Sequence, residues 1–231
     1  MSKNKWPVNI TVIRHALSEQ NALLDLLDDN LEEKIRALQT KRDADIELAQ
    51  EGFFQAEETG KYLGTKEPYD ICFSSPYKRT LQTAETILAQ LPHTMRLFKD
   101  NRLREKEFGR LHGLTTEEIK QKYPEEYLDR ERDGKYWYRL PRGENYPDVE
   151  MRVHSFLDKL HREYAGKRVL IVTHQVPYLL FRALFEHLGE EEVLNLGNVP
   201  NCGIQEFLLT KTDAGKERMK LKEYNFVAYS K

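Results

Sequence analysis

Cysteine is nearly absent: Cys72 and Cys202 are the only two among 231 residues. They cannot make the disulfide framework of a small secreted domain, so each is expected to be a small buried hydrophobe in a reducing compartment. Long hydrophobic runs are missing too, and nothing approaches the ~20 apolar residues of a membrane helix. The polar start, M-S-K-N-K-W-P, lacks a signal-peptide core. Neither sign of charge dominates. The formal net charge is -2, and no block of like charge suggests a nucleic-acid surface. The spacings H-E-x-x-H and C-x-x-C are absent, which speaks against zinc. No internal repeat or low-complexity segment occurs. These absences predict a cytoplasmic protein with no nucleic-acid or membrane partner and no metal or cofactor.

Hydrophobic residues make up 39% and charged residues 32%, enough for a core under a well-solvated surface. The chain opens on a short β-branched run, Val8 to Ile13, with the length of a strand buried on both faces. Ala22 to Gln39 carries apolar residues at helical spacing, then Asp43 to Ile46 forms a loop. Glu47 to Leu63 reads as a second helix, with Gly64 as its stop. Asp70 to Ser75 is a second strand, Tyr77 to Leu91 a helix ended by Pro92, and Met95 to Phe98 a third strand. Val149 to Tyr164 is a helix, Val169 to Thr173 the clearest buried strand, and Pro177 to Leu188 the next helix. Ile204 to Thr210 and Met219 to Phe226 are late strands at a sheet edge, joined by a turn over Thr212 to Lys216. This βα alternation predicts one α/β domain over 1–231, a three-layer αβα sandwich on a mostly parallel sheet.

The alternation fails between Asp100 and Pro147, a stretch dense in charge and aromatics. It is expected to be a helical insertion over the C-terminal edge of the sheet, between core segments 7–99 and 148–228. It serves either as a solvated flap or as a substrate lid, with Tyr136 to Arg139 and Arg142 as the lid's aromatic and basic residues. Trp137 is expected to pack the insertion onto the sheet.

Two strands end in histidine, His15 after Arg14 and His174 after Thr173. A third leads through Ser75 into a helix whose first turn holds Arg79. Ligands of open α/β sheets bind at the carboxyl ends of the strands, so neighbouring strands would bring Arg14, His15, Arg79 and His174 to one crevice. Guanidiniums match phosphate oxygens, and an imidazole can attack phosphorus. Taken singly, a strand-end histidine usually satisfies a hydrogen bond; the joint placement carries the weight. His93, His112, His154, His161 and His187 fall in turns or on helix surfaces and receive no role. A leaving oxygen also needs a proton, and Glu105 or Glu107 could supply it.

In chain order, Arg14-His15-x-x-Ser18-x-x-Asn21, Ser74-Ser75-Pro76-Tyr77-x-Arg79, Leu103-x-Glu105-x-x-Phe108-Gly109, Pro141-x-Gly143-Glu144-Asn145 and Val172-Thr173-His174 resemble the motifs of the histidine phosphatase (phosphoglycerate mutase-like) superfamily. The resemblance implies a phosphoglycerate mutase-like fold and a metal-independent enzyme. It implies His15 as the nucleophile that becomes phosphohistidine, Glu105 as proton donor with Glu107 as fallback, and His174 as a third catalytic residue. Arg14, Arg79, Asn21 and Ser18 are then expected to hold the phosphate. Glu107, Arg142 and Gln175 are further candidates for substrate contact. Ala16, Leu17, Gln175 and Asn145 depart from the family pattern, and Leu17 removes a polar contact.

Three functions remain in view. The leading one is a phosphomonoester hydrolase acting on a small phosphorylated metabolite. The others are a bisphosphoglycerate-dependent mutase on the same site, and a non-catalytic regulator that binds a phosphorylated ligand.

Overall fold

The structure, a computed structural model, describes residues 5–24, 41–212 and 215–230. Six strands, β1 (Asn9–Arg14), β2 (Ile71–Ser74), β3 (Leu97–Lys99), β4 (Arg168–Thr173), β5 (Ile204–Lys211) and β6 (Glu217–Phe226), form one mixed sheet ordered β3-β2-β4-β1-β5-β6. The first four strands of that order are parallel; β5 and β6 add an antiparallel edge. The runs richest in β-branched residues, β1 and β4, take the central places, where both faces are covered.

Eight helices are described: α1 (Glu19–Leu24), α2 (Gln50–Gly64), α3 (Lys78–Ala89), α4 (Thr116–Lys122), α5 (Pro124–Trp137), α6 (Tyr146–Glu163), α7 (Gln175–Glu186) and α8 (Glu190–Asn195). The period-two alternation of β4 sorts the layers. Val169 and Ile171 join Val153, Phe156 and Leu160 of α6 and Leu180 of α7 in one core. Leu170 and Val172 join Ala56 of α2 and Ala84 and Ile87 of α3 in the other. The result is the expected αβα sandwich. None of the described helices is long and apolar enough to cross a membrane.

Several boundaries moved for physical reasons. Of the helix expected over Ala22 to Gln39, only its first residues are described, as part of α1; the rest lies outside the described residues, as do two residues of the Thr212 to Lys216 turn. Helix α2 starts at Gln50 rather than Glu47, because the backbone before it is committed elsewhere. Glu47 O accepts from Glu19 N, Ala49 N donates to Leu17 O, and Leu48 bridges Ser18. Gly52 is what permits this approach, since a Cβ there would stand 2.2 Å from Leu17 O. Gly64 is the last helical residue rather than the stop. Helix α7 begins two residues early and ends at His187, which adopts a left-handed conformation (φ 58). Helix α8 was not anticipated.

Segment 100–147 carries α4 and α5 around its own small core of Leu111, Ile119, Tyr138 and Leu140. Trp137 does not pack it onto the sheet. Its side chain is 56% exposed and its indole N–H donates to Glu190. Tyr136 does the packing instead, stacked on Tyr146 at 5.3 Å. Consecutive residues point about 100° apart around a helix, so an inward Tyr136 leaves Trp137 facing out.

Candidate active site

Parallel pairing of β1 with β4, with Arg14 opposite Thr173, makes the residues that follow, His15 and His174, leave the sheet side by side. Their ring centroids are 5.2 Å apart. Strand β2 lies on the other side of β4, and Ser75 beyond it places Oγ 2.8 Å from His174 Nε2. Helix α3 then brings in Arg79 in its first turn, 4% exposed. His15, His174 and Arg79 thus come together from distant parts of the chain.

His15 is 4% exposed, and its Nδ1 lies 2.7 Å from Ala16 O. A carbonyl only accepts, so Nδ1 carries the proton and Nε2 keeps a lone pair. Burial, followed by the positive charges of Arg79 and Arg14, holds the ring's pKa well below 6.5. The backbone around it is pinned: His15 N donates to Thr173 O, Ala16 N to Thr83 Oγ1 and Leu17 N to Gln55 Oε1. Asn201, which no motif flagged, donates to His15 O at 3.1 Å. Ala16 is fully buried at a negative φ, so its methyl group is accommodated.

Arg14 donates through Nη1 to Val199 O, while its buried Nε has no partner. His174 is fully buried, with its pKa lowered well below 6.5 by burial and then by Arg79, and its Nδ1 also lacks a partner. Each such buried orphan costs about 1–3 kcal/mol unless something pairs with it. Two of the described orphans thus fall at one place. Arg79 is not free: Nη1 and Nη2 form a fork on the Asp43 carboxylate at 2.9 and 3.2 Å, and Nη1 also reaches Asp43 O at 2.6 Å.

Glu105 is buried, and burial raises its pKa above 4.5. Its Oε1 accepts from Lys106 N at 2.8 Å and from Val176 N, at the start of α7, at 3.2 Å. That leaves Oε2 to carry a proton. The segment bearing it is clamped by Arg152, which donates to the carbonyls of Arg102, Arg104 and Glu105 and to Glu144. Glu144 in turn accepts from Glu107 N. The P-R-G-E stretch therefore supports the glutamate-bearing segment from outside the cavity.

A cavity of about 350 Å³ is lined by Arg14, His15, Ser18, Asn21, Asp43, Arg79 and Glu105 on one side, and by residues from Phe108 to Thr115 on the other. Ser18 Oγ donates to Asn21 Oδ1 at 3.0 Å. His174 stands behind His15 rather than on the cavity wall. Glu107 also lies off the wall, accepting from Tyr77 OH at 2.8 Å. Gln175 lies off it too: it accepts from Val199 N and donates to Gly197 O, bracing the loop whose Val199 carbonyl holds Arg14. Arg142 is exposed and away from the cavity. The lid residues expected at Tyr136 to Arg139 do not reach it either; Arg139 pairs with Asp148. The insertion instead contributes Phe108 to Thr115, including His112, to which the sequence assigned no role. Its position just after the L-x-E-x-x-F-G stretch was the available signal. Asp43 and Arg152 had none, because their partners lie far away in the chain. Among the described residues, no cluster of three or more His, Cys, Asp or Glu side chains is arranged to hold a metal.

Fold and site together define an α/β protein in which the ends of two parallel strands, helix α3 and the loop after β3 bring two histidines, two arginines and a buried glutamate together. The chain belongs to the histidine phosphatase superfamily (branch 1), whose family model matches residues 10–223. It is 34% identical over 157 residues to 6-phosphofructo-2-kinase/fructose-2,6-bisphosphatase 3 from Bos taurus, an alignment covering 68% of this chain and 32% of that protein. The chain thus matches about a third of that relative's length. It is 30% identical over 179 residues to phosphoserine phosphatase 1 from Hydrogenobacter thermophilus, covering 74% and 72%. Among solved structures, a mycobacterial glucosyl-3-phosphoglycerate phosphatase in complex with inorganic phosphate superposes with a TM-score of 0.69 at 22% identity, covering 95% and 98%. That likeness concerns the fold.

Proposed function

We propose that this protein is a phosphomonoester hydrolase that works through a phosphohistidine at His15, on a small phosphorylated metabolite. The observation that carries this is the 2.7 Å contact between His15 Nδ1 and Ala16 O, from which the tautomer follows. A buried ring with Nδ1–H tied to Ala16 O presents an uncharged Nε2 beside two guanidiniums and an acid of raised pKa. The orphaned Nε of Arg14, which lines the cavity, is a donor that a phosphate oxygen can satisfy.

In the first step the Nε2 lone pair forms an N–P bond, the ester P–O bond breaks, and Glu105 gives its proton to the leaving oxygen. In the second, water attacks phosphorus, gives its proton to the Glu105 carboxylate, and the N–P electron pair returns to the ring. Alcohol and inorganic phosphate leave. Arg14 and Arg79 balance the developing charge, which is the work that magnesium does at other phosphoryl-transfer sites.

His15→Ala is expected to lower kcat on an aryl phosphate by at least about a thousandfold and to abolish the acid-labile phosphoenzyme trapped from labelled substrate. Near-normal turnover by that variant would sink the mechanism. On an alkyl phosphate, whose leaving group needs its proton, Glu105→Gln is expected to lose roughly 10²–10⁴ in kcat, and Glu107→Gln far less. In a coupled isomerisation assay on a phosphoglycerate, mutase turnover is not expected to exceed phosphate release, however slow that release is.

A further inference from the structure

The cavity has two unlike halves. Its floor carries the charged groups just described. The rest of its lining includes the apolar side chains of Phe108, Leu111 and Leu114 from the insertion and Leu23 of α1, beside Gln20, His112 and Thr115. Phe108 is 38% exposed while it lines the cavity, and Lys106 Nζ sits 5.0 Å from its ring. His112 lies against the same ring at 6.4 Å.

Asp43 adds a second constraint. Its carboxylate and carbonyl both engage Arg79 while it lines the cavity. None of the described insertion arginines lines the cavity; Arg139 is paired with Asp148 and Arg104 with Glu144. Once a phosphate has taken Arg14 and Arg79, no further arginine or lysine stands among the described lining residues, so a second anionic group on the substrate meets apolar side chains and the Asp43 carboxylate, with Ser18, Gln20, Asn21, His112 and Thr115 as the other polar groups. An ionised group held there without a partner is strongly disfavoured.

Building on the phosphatase reading, we propose that the outer half is a leaving-group subsite for an uncharged, largely apolar alcohol, and that Asp43 is the residue that turns away substrates with a second negative charge. The substrate class is therefore aryl or apolar alkyl monophosphates rather than bisphosphates or phosphorylated acids.

The test compares phenyl phosphate with para-carboxyphenyl phosphate, and naphthyl phosphate with methyl phosphate. Phenyl phosphate is expected to exceed the carboxylated ester in kcat/KM by about tenfold or more. Asp43→Asn is expected to narrow that gap by raising use of the carboxylated ester. Phe108→Ala is expected to lower kcat/KM for naphthyl phosphate about fivefold or more beyond its effect on methyl phosphate, whose leaving group falls short of the wall. Equal use of the charged and neutral aryl esters, or equal losses on naphthyl and methyl phosphates in Phe108→Ala, overturns the subsite while leaving the phosphatase standing. Turnover of none of the four esters, with no phosphorylated His15, overturns both.

Discussion

At the scale of single residues, burial decides which groups hold protons. His15 and His174 stay uncharged well below the ordinary imidazole value of 6.5, and Glu105 keeps its proton above the ordinary carboxyl value of 4.5. On the proposed mechanism the nucleophile is thus free and the acid loaded over a shared range of pH. Once corrected for the ester's own ionisation, kcat/KM is expected to follow a bell whose acid limb lies below 6.5 and whose alkaline limb lies above 4.5. Glu105→Gln is expected to remove the alkaline limb; a limb that survives belongs to another group. The same shifts carry a sign for stability. Below pH 6.5 the unfolded imidazoles take up protons that the folded ones refuse, so stability falls as pH drops toward their folded values. Glu105 acts oppositely, since the unfolded carboxyl releases its proton first and stability falls as pH rises above 4.5. Urea midpoints across pH measure the balance. His15, Arg14, Arg79 and Glu105 could be picked out from their motifs. Asp43, Asn201 and Arg152 could not, because their meaning lies wholly in partners brought near by folding.

Among the elements, the best supported is the loop from Leu103 to Glu107, which has little regular structure of its own. Arg152 on α6 ties two of its carbonyls and that of Arg102 just before it, and is itself paired with Glu144, both side chains mostly buried. Removing one partner of such a pair leaves the other uncompensated, typically about 3–5 kcal/mol. Arg152→Ala is therefore expected to lower the urea midpoint strongly and to depress kcat more than KM, because Glu105 loses its fixed position. Arg152→Lys, which keeps the charge but loses the planar fork, is expected to fall between. Unchanged kcat in a folded Arg152→Ala protein would remove the clamp from the mechanism. Strands were the most legible elements, since short β-branched runs between turn residues admit few alternatives. Helix starts were less so: nothing local in Glu47 or Ala49 announces that their backbone is held by Glu19 and Leu17.

For the whole molecule, a ligand that binds only the folded state stabilises it by mass action. Inorganic phosphate at a hundred times its dissociation constant is worth about 2.7 kcal/mol, roughly a 5–11 °C rise in Tm for a chain of this size. That rise is expected with phosphate and not with chloride of equal ionic strength, and Arg14→Ala is expected to erase it. An equal rise in the variant would place the anion elsewhere. The sequence by itself determined the βα alternation, the two central strands and the short list of groups able to handle a phosphoryl group, because periodicity and motif spacing are local properties of a chain. Only the tertiary structure decided that Glu105 rather than Glu107 lines the cavity, that Asp43 sits on Arg79, and that Phe108 to Thr115, not Tyr136 to Arg139, forms the outer wall. Those outcomes depend on which surfaces pack together, and packing is settled by contacts between residues tens of positions apart.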